Sequence, residues 1–274
     1  MGRMAWLGLA LVAGLGLAAP AWAQPLRIGV AGPLSGDQAA IGEELRNGST
    51  IAVEEWNARG GVLGKKIEIV WGDDQRDPKQ GVAIAHKFVS AGVAVVIGHF
   101  NSSVSIPAST VYHEGGIVQI TPASTNPQYT ERGLWNVFRV CGRDDQQGKV
   151  AADFVVQKLK AKRVAVLQDK TTYGQGLADE FAKAIKAQKV TPVSYGGVTQ
   201  GDKDYTAVLT ALKGKDPQVL FFGGIYPEAT LLSKQMRALG LKAAFVSGDG
   251  VWTEEYIKIA GPAAEGAYIT FTPD

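Results

Sequence analysis

This sequence has little cysteine, little histidine and almost no net charge, and each of these absences argues against a class of function. The 274 residues include one cysteine, Cys141, which excludes an internal disulfide and any cysteine-built zinc or iron-sulfur site. The three histidines, His86, His99 and His113, lack the i, i+4 spacing of a helical metal site, so we expect no metal. The 28 basic and 26 acidic side chains leave a net charge of +2, which gives no sequence-wide reason to expect nucleic acid as a partner.

Catalytic and nucleotide-binding patterns are missing as well. The sequence has no G-x-S-x-G nucleophile elbow. A turn-rich loop over residues 31–36 could cradle a phosphate, but Gly29, Gly32 and Gly36 do not have the G-x-G-x-x-G spacing of a dinucleotide site. We therefore expect neither an enzyme nor a cofactor.

One long apolar run is present, and it lies at the start of the chain. Arg3 precedes an apolar run over residues 4–19, and the pattern Ala21-Trp22-Ala23 that follows is an Ala-x-Ala cleavage site. The run is shorter than the roughly 20 residues that a membrane span requires. We interpret residues 1–23 as a secretory signal peptide cleaved after Ala23, and we expect the mature protein in the periplasm. No later stretch is apolar enough to span a bilayer.

From residue 26 onward, short apolar runs alternate with segments of helical periodicity, which is typical of an α/β protein. The runs are rich in valine and isoleucine, as in parallel strands covered on both faces. The predicted strands are residues 26–30, 66–71, 93–98, 116–120 and 135–139, then 162–168, 189–195, 218–222, 244–247 and 266–271. Because the pattern restarts after Gly142, we predict lobe I over residues 24–142 and lobe II over residues 143–271, sharing a hinge and a cleft.

Helical spacing also predicts which residues face the cores. In the second helix, Asp77-Pro78 supplies the N-cap and the first helical residue. The apolar faces predicted for the first two helices are Ile41, Leu45, Ala52 and Trp56, and Val82, Ala85, His86 and Val89.

Two loops rich in hydroxyl groups follow neighbouring predicted strands. Residues 99–103 read His-Phe-Asn-Ser-Ser and lead into a helix, and residues 121–127 read Thr-Pro-Ala-Ser-Thr-Asn-Pro. Ligands of open α/β sheets bind beyond the carboxyl ends of the strands, and a helix N-terminus attracts anions there. Helix capping alone is the alternative interpretation. Apart from His99, which stands at the end of the strand, the loops contain no base for a nucleophile, so they indicate a receptor for a carboxylate and not an acyl-transfer site.

In combination, the loops of this chain resemble the periplasmic leucine/isoleucine/valine-binding proteins of ABC importers. The resemblance spans residues 24–274 and begins with Arg27-Ile28-Gly29-Val30 and the loop Ala31-Gly32-Pro33-Leu34-Ser35-Gly36. The further matching segments are residues 60–61, 73–74, 77–80, 96–99, 102–103, 107–109, 121–127, 169–170, 173–176, 201–205, 223–224, 226–228 and 264–266. The family fold consists of two α/β lobes of type I that close on an amino acid like a flytrap.

The resemblance assigns ligand-binding roles by position. Ser102, Ala123 and Thr125 resemble the residues that hold the α-carboxylate of the ligand and help to seat its ammonium group. Asp249, followed by Gly250, resembles the carboxylate of the second lobe that pairs with the ammonium group. The remaining positions are the aromatic wall Tyr173, the first-lobe residues Phe100 and Asn101, and Ile41 and Ile225.

Departures from the family pattern bear on the ligand and on the extent of the chain. Asp249 stands where the branched-chain binders have glutamate, and Ile41 and Ile225 stand where they have tyrosine, so a more aliphatic pocket is expected. Family members continue from the second lobe back into the first, whereas residues 272–274 lie about where that return begins. The resemblance therefore implies a chain truncated at its C-terminus.

The function that the resemblance implies is that of the solute-binding protein of an ABC importer, which closes on a branched-chain or related amino acid. The expected partners are this small molecule and a membrane permease, and the protein is expected to be a monomer. A ligand-sensing module of the same fold that signals to a regulator is one alternative. A binder of another carboxylate or of a short amide is a second.

Overall fold

The computed structural model describes residues 24–271 of the chain. The predicted signal peptide, residues 1–23, and the predicted start of a return to lobe I, residues 272–274, lie outside the described residues. Two parallel five-stranded sheets follow one another along the chain, each covered by helices. This confirms the predicted α/β class with two lobes. Below, lobe I denotes the part that carries the first sheet and lobe II the part that carries the second.

The sheet of lobe I has the strand order β2-β1-β3-β4-β5. Its strands are β1 (Leu26–Gly32), β2 (Ile67–Asp73), β3 (Val95–Gly98), β4 (Val118–Thr121) and β5 (Val137–Arg139). The helices between them are α1 (Ala39–Ala58), α2 (Pro78–Ser90), α3 (Ser102–Glu114) and the short α4 (Gln128–Glu131). In this order the chain reverses its winding between β1 and β3, where a crevice opens beyond the carboxyl ends of the strands.

The sheet of lobe II has the order β10-β9-β8-β6-β7, which repeats the arrangement of lobe I. Its strands are β6 (Val164–Gln168), β7 (Ser194–Gly197), β8 (Val219–Gly223), β9 (Ala244–Ser247) and β10 (Tyr268–Ile269). The helices are α5 (Asp144–Asp153), α6 (Thr172–Ala187), α7 (Thr206–Lys213), α8 (Tyr226–Ala238) and α9 (Glu254–Ala260). The corresponding crevice lies between β6 and β8.

Each sheet carries its own apolar core. In lobe I, Phe88 of α2 and Tyr112 of α3 are fully buried against the strands. In lobe II, the rings of Phe181 and Phe221 stack with centroids 3.8 Å apart. Ile41 of α1 packs with the core cluster of lobe II although its helix belongs to lobe I, so apolar contact also joins the two lobes.

Local signals in the sequence account for the helix starts. Asp77 accepts a hydrogen bond from Lys79 N at 2.7 Å and is followed by Pro78, which confirms the predicted cap of α2. Thr171 caps α6 in the same way, because its hydroxyl accepts from Gly174 N at 2.9 Å. A side-chain acceptor at this position satisfies one of the backbone N–H groups that a helix start leaves unpaired.

The buried faces predicted for α1 and α2 were wrong in part. Trp56 is 52% exposed and Ala52 is exposed as well, because periodicity groups apolar residues on one face without requiring that another element covers it. In α2 the buried positions are Gly81, Ile84, Ala85 and Phe88, and His86 is exposed. The apolar side chains of Ile84 and Phe88 fill the core on this side of the helix, so His86 faces solvent.

Strands lie in all of the predicted regions, but one begins well after its predicted start. β7 begins at Ser194, whereas residue 189 was predicted. Lys189 has a φ of 65°, which is not a strand conformation, and Pro192 has no N–H to donate to a sheet, so regular pairing with β6 begins only after these residues. Between residues 24 and 271, no helix combines the length and the apolarity that crossing a bilayer requires.

Candidate functional site

A cavity of about 530 Å³ lies between the two lobes, beyond the carboxyl ends of both sheets. Each lobe contributes the loops that follow its strands, as expected for ligand sites in open α/β sheets. All of the residues predicted for the binding site except Thr125 line this cavity, namely Ile41, Phe100, Asn101, Ser102, Ala123, Tyr173, Ile225, Asp249 and Gly250. The other lining residues are Glu44, Pro122, Val140, Cys141, Trp252, Thr253, Glu254 and Phe271.

The wall formed by lobe I rests on the carbonyl oxygen of His99, which follows β3. Three hydroxyl groups lie within hydrogen-bond distance of this oxygen: Thr121 at 2.7 Å, Ser105 at 3.1 Å and Ser124 at 3.3 Å. All three side chains are buried. The loops after β3 and β4 are therefore joined to each other, and Ser102 and Ala123, which lie in these two loops, both line the cavity.

Behind this wall, the ring of His99 belongs to a buried polar cluster. Its Nδ1 lies 2.7 Å from Asp74 Oδ2, and its Nε2 lies 3.1 Å from Tyr112 OH. All three side chains are inaccessible to solvent. Because buried polar groups need partners, this cluster fixes the end of β3 against β2 and α3. Its members do not line the cavity, so it supports the loop and does not contact a ligand.

Ser102 is the first residue of α3, and its side chain is oriented by the second loop. Its Oγ accepts a hydrogen bond from Asn126 N at 3.3 Å. A helix N-terminus beside a hydroxyl attracts a carboxylate, because the first backbone N–H groups point outward with the positive end of the helix dipole. Thr125, by contrast, is fully buried outside the cavity lining, and its predicted role in holding a carboxylate stays a prediction.

Lobe II presents an acidic residue on the opposite side. Asp249 follows β9, and its Oδ1 accepts a hydrogen bond from Tyr173 OH at 2.8 Å. The same phenol oxygen accepts from Gly250 N at 3.0 Å, and Asp249 N donates to Gln147 Oε1 at 3.1 Å. Burial raises the pKa of the Asp249 carboxyl, and the hydrogen bond from Tyr173 opposes that rise.

Tyr173 reaches this position because α6 approaches the sheet very closely. A Cβ atom added to Gly174 would lie 2.4 Å from the carbonyl oxygen of Gly223 at the end of β8. A Cβ added to Gly223 would lie 2.1 Å from the carbonyl oxygen of Gly174. These distances are below van der Waals contact, so only glycine fits at both positions. The start of α6, with Tyr173, is consequently held at the edge of the cavity.

The rest of the cavity is mainly apolar and aromatic. Ile41 and Ile225 are 8% and 2% exposed, respectively, and Phe100 packs against the same core cluster. At the mouth, the rings of Trp252 and Phe271 lie 5.5 Å apart. Trp252 was not predicted for the site, although it lies in the same loop as the predicted Asp249.

Cys141 also lines the cavity. Its Sγ lies 3.8 Å from the carbonyl oxygen of Ser124, and burial raises the pKa of the thiol to about 11. A thiol with that pKa is protonated near neutral pH and is a poor nucleophile. Among residues 24–271, no cluster of His, Cys, Asp or Glu side chains is placed to hold a metal ion.

Polar contacts join the lobes on either side of the cavity. Arg76 of lobe I lies 2.6 Å from Asp37 Oδ2 and 3.5 Å from Glu228 Oε1 of lobe II. Asn126 Nδ2 donates to the carbonyl oxygen of Thr172 at 2.8 Å. These contacts hold the two walls of the cavity together.

The sequence and the fold both match known solute-binding proteins. Residues 25–274 match the family described as periplasmic binding protein. The chain is 48% identical over 274 residues to the Leu/Ile/Val-binding protein homolog 1 of Brucella suis biovar 1, covering 100% of this chain and 74% of that protein. It is 49% identical over 275 residues to an amino acid binding protein of Pseudomonas aeruginosa, covering 99% of this chain and 73% of that protein.

Solved structures of similar proteins share the fold. The leucine binding protein LivK of Thermotoga maritima superposes with a TM-score of 0.86 at 32% identity, covering 91% of this chain and 70% of that one. The branched-chain amino acid transporter substrate binding protein LivJ of Streptococcus pneumoniae, solved in complex with isoleucine, gives a TM-score of 0.83 at 31% identity, with coverage of 90% and 70%. This chain therefore shares the type I architecture over most of its length.

Proposed function

This chain belongs to the periplasmic binding protein family, and we infer from its site that it captures an α-amino acid with an aliphatic side chain for an ABC importer. The observation that carries this inference is the polarity of the cavity. Ser102 and the N-terminus of α3 stand in one wall, and Asp249 stands in the wall opposite. Such an arrangement complements the carboxylate and the ammonium group of a zwitterion.

The apolar lining supports an aliphatic side chain as the third element of recognition. Ile41 and Ile225 are the most buried aliphatic residues in the cavity wall, and neither has a polar group to pair with a polar ligand side chain. Burying an apolar ligand group against them is favourable by about 25 cal/mol for each Å² removed from water. Leucine, isoleucine and valine are therefore the first ligands to test, in agreement with what the names of the similar proteins state.

Capture follows from closure of the two lobes. Ser102 and Ala123 belong to lobe I, whereas Tyr173 and Asp249 belong to lobe II, so a ligand completes its contacts only when both walls approach it. A ligand shifts a conformational equilibrium by its difference in affinity for the two states. Binding therefore favours the closed form, and this form is the one that a membrane permease would recognise.

Location and assembly belong to the same proposal. Secretion by way of the signal peptide at residues 1–23, with cleavage after Ala23, would place the protein outside the cytoplasm, where this family acts. The binding protein would work as a monomer that meets its permease at the membrane. The cleft has polar groups that can hold a ligand, and the thiol of Cys141 in its wall is not activated. Both features support capture of a ligand without its chemical conversion.

Isothermal titration calorimetry with leucine and two of its analogues tests this function. The deaminated analogue, 4-methylpentanoate, and the decarboxylated analogue, 3-methylbutylamine, should each bind more weakly than leucine. Asp249→Asn should weaken leucine about 10-fold to 150-fold, because a hydrogen bond to a charged group contributes about 1.5 to 3 kcal/mol. The same variant should leave 4-methylpentanoate nearly unaffected, since that analogue has no ammonium group.

Asp216→Asn is the matched control, because Asp216 is an exposed carboxylate on lobe II that pairs with Arg163. It should bind all three compounds as the unchanged chain does. Equal loss of affinity for leucine and for 4-methylpentanoate in Asp249→Asn would contradict the assignment of the ammonium group to Asp249. Failure of every amino acid to bind would contradict the function itself.

A further inference from the structure

Asp144, the first residue of α5, carries a fully buried carboxyl group that the binding site described above does not use. Its side chain is 0% exposed. Its Oδ1 accepts a hydrogen bond from Gln147 Nε2 at 3.5 Å, and its Oδ2 has no partner among the described residues. An ionised carboxylate that is buried with so few partners is strongly disfavoured, so the position of Asp144 needs an explanation.

Gln147 connects Asp144 to the acidic wall of the cavity. While its Nε2 faces Asp144, its Oε1 accepts from Asp249 N at 3.1 Å. A single amide side chain therefore touches both acidic residues. Burial, and next the charge of Asp249, raise the pKa of Asp144 well above its ordinary value. Two carboxylates in one poorly solvated region cannot both ionise at low cost.

The Thr125 hydroxyl and Arg139 are the groups that favour the ionised form of Asp144, but Thr125 Oγ1 makes no hydrogen bond among the described residues and Arg139 is already engaged. Arg139 donates to the carbonyl oxygens of Ser124 at 2.6 Å and Asn126 at 2.9 Å and forms no ion pair with Asp144 among the described residues. The N-terminus of α5 favours an anion, but this effect is small beside the burial of an unpaired charge. The ionisable groups that face Asp144 are Arg139, Cys141, Asp145, Tyr173 and Asp249.

We propose, on the basis of the proposed function, that Asp144 is a proton-holding positioning residue behind the ammonium subsite. It is neutral while Asp249 faces an empty cleft, and it ionises when a ligand ammonium group arrives beside Asp249. The O–H bond of the Asp144 carboxyl breaks, and its proton passes to the buffer. Binding of an amino acid therefore releases protons, and the site gains a second negative charge only when a cation is present to balance it.

The arriving charge acts in the direction that this change requires. A positive charge within a few ångströms lowers the pKa of a carboxyl group by about 1 to 3. The ammonium group would both neutralise the repulsion from Asp249 and attract Asp144 directly. A ligand without an ammonium group supplies neither effect. Asp144 therefore discriminates for cationic amines without contacting them.

Calorimetric proton counting tests this proposal. Leucine is titrated into the purified chain at about pH 7, below the ordinary pKa of an α-amino group, in phosphate and in Tris, which differ in their enthalpy of ionisation. The slope of the observed binding enthalpy against the buffer enthalpy gives the number of protons released. We expect a net release for the unchanged chain and a release near zero for Asp144→Asn. The amide keeps the shape of the side chain and cannot ionise.

Asp145→Asn is the matched control, because the neighbouring Asp145 is partly exposed and paired with Arg143. It should release as many protons as the unchanged chain. Asp144→Ala is a second variant for the case that the amide impairs folding, and it should also abolish the release. In the unchanged chain, titration with 4-methylpentanoate should release no protons from Asp144.

The possible failures can be told apart. Leucine binding that releases no proton from the unchanged chain, or equal release by the unchanged chain and Asp144→Asn, would overturn the role of Asp144 while leaving the binding function intact. Absence of leucine binding in every variant and in the unchanged chain would overturn both.

Discussion

Replacement of Tyr173 by phenylalanine is the most informative single change in this cavity. Tyr173 is 6% exposed, and its hydroxyl makes two hydrogen bonds. It donates to Asp249 Oδ1 at 2.8 Å and accepts from Gly250 N at 3.0 Å. Phenylalanine keeps the ring and its packing, so the variant isolates the contribution of one oxygen atom.

The expected loss of stability follows from these two bonds. A hydrogen bond to a charged group contributes about 1.5 to 3 kcal/mol, and a buried N–H group without a partner costs about 1 to 3 kcal/mol. Since one oxygen serves both bonds, the two losses are not independent, and we expect the free energy of unfolding to fall by about 2 to 4 kcal/mol. For a chain of this size, that corresponds to a decrease in Tm of about 5 to 15 °C.

Ligand binding should change in a way that a purely structural defect would not produce. The hydrogen bond from Tyr173 lowers the pKa of Asp249, so its loss raises that pKa. As the pH falls from about 8 to about 5, Asp249 of the variant should take up its proton earlier and lose its attraction for the ammonium group earlier. Calorimetric Kd values for leucine across this range should show the weakening at higher pH in the variant.

Tyr195→Phe is the matched control. Tyr195 is 43% exposed, and its hydroxyl donates to Asp179 on the outer surface of lobe II. Its free energy of unfolding should lie within about 0.5 kcal/mol of that of the unchanged chain, as is usual for substitutions at exposed positions. Equal melting temperatures for the two variants, or superimposable pH profiles of Kd for Tyr173→Phe and the unchanged chain, would refute the role given to the phenol.

Two further predictions concern groups away from the ligand. Burial raises the pKa of Asp169 to about 6, so the folded chain binds this proton more tightly than the unfolded chain does. The resulting stabilisation of about 3 kcal/mol is fully present below about pH 4 and is lost as the pH rises through about 6. Asp169→Asn should therefore narrow the difference in Tm between about pH 4 and pH 7, and an unchanged difference would contradict this. Arg76→Gln removes the ion pair with Glu228 that bridges the lobes, as well as the pair with Asp37 within lobe I. It should weaken leucine binding about fivefold, since an ion pair with a partly exposed partner contributes about 1 kcal/mol and closure is coupled to affinity. Small-angle scattering of the unliganded variant should show a more extended average form, and an unaltered Kd together with an unaltered profile would refute the bridge.

Periodicity was sufficient to predict the architecture, because strands covered on both faces leave continuous apolar runs. It could not predict which helix faces are covered. The spacing of Trp56 in α1 and of His86 in α2 is compatible with a buried face, yet both side chains are exposed. Coverage depends on which side chain fills the core best, and Phe88 of α2 does so with 0% exposure.

The site was predictable to the extent that its residues follow strands directly. Ser102 follows β3 and Asp249 follows β9, so topology brings both to the cleft, although only the family resemblance singled out Asp249. Asp144 begins a helix in a polar segment, and its local sequence resembles an ordinary exposed helix start. Its burial arises from the loop containing Thr125, whose carbonyl oxygen accepts from Asp144 N at 3.0 Å, and no local pattern contains that contact.

The convergence of three hydroxyls on the His99 carbonyl has a kinetic consequence. A wall held by these contacts has its final shape before any ligand arrives, so it offers a preorganised surface for the first encounter with the ligand. Substitutions around Ser102 should then alter how fast a ligand is first retained, whereas substitutions around Asp249 should alter how long it stays. Lobe I would thus determine mainly the association rate of the amino acid, and lobe II would determine mainly its dissociation rate.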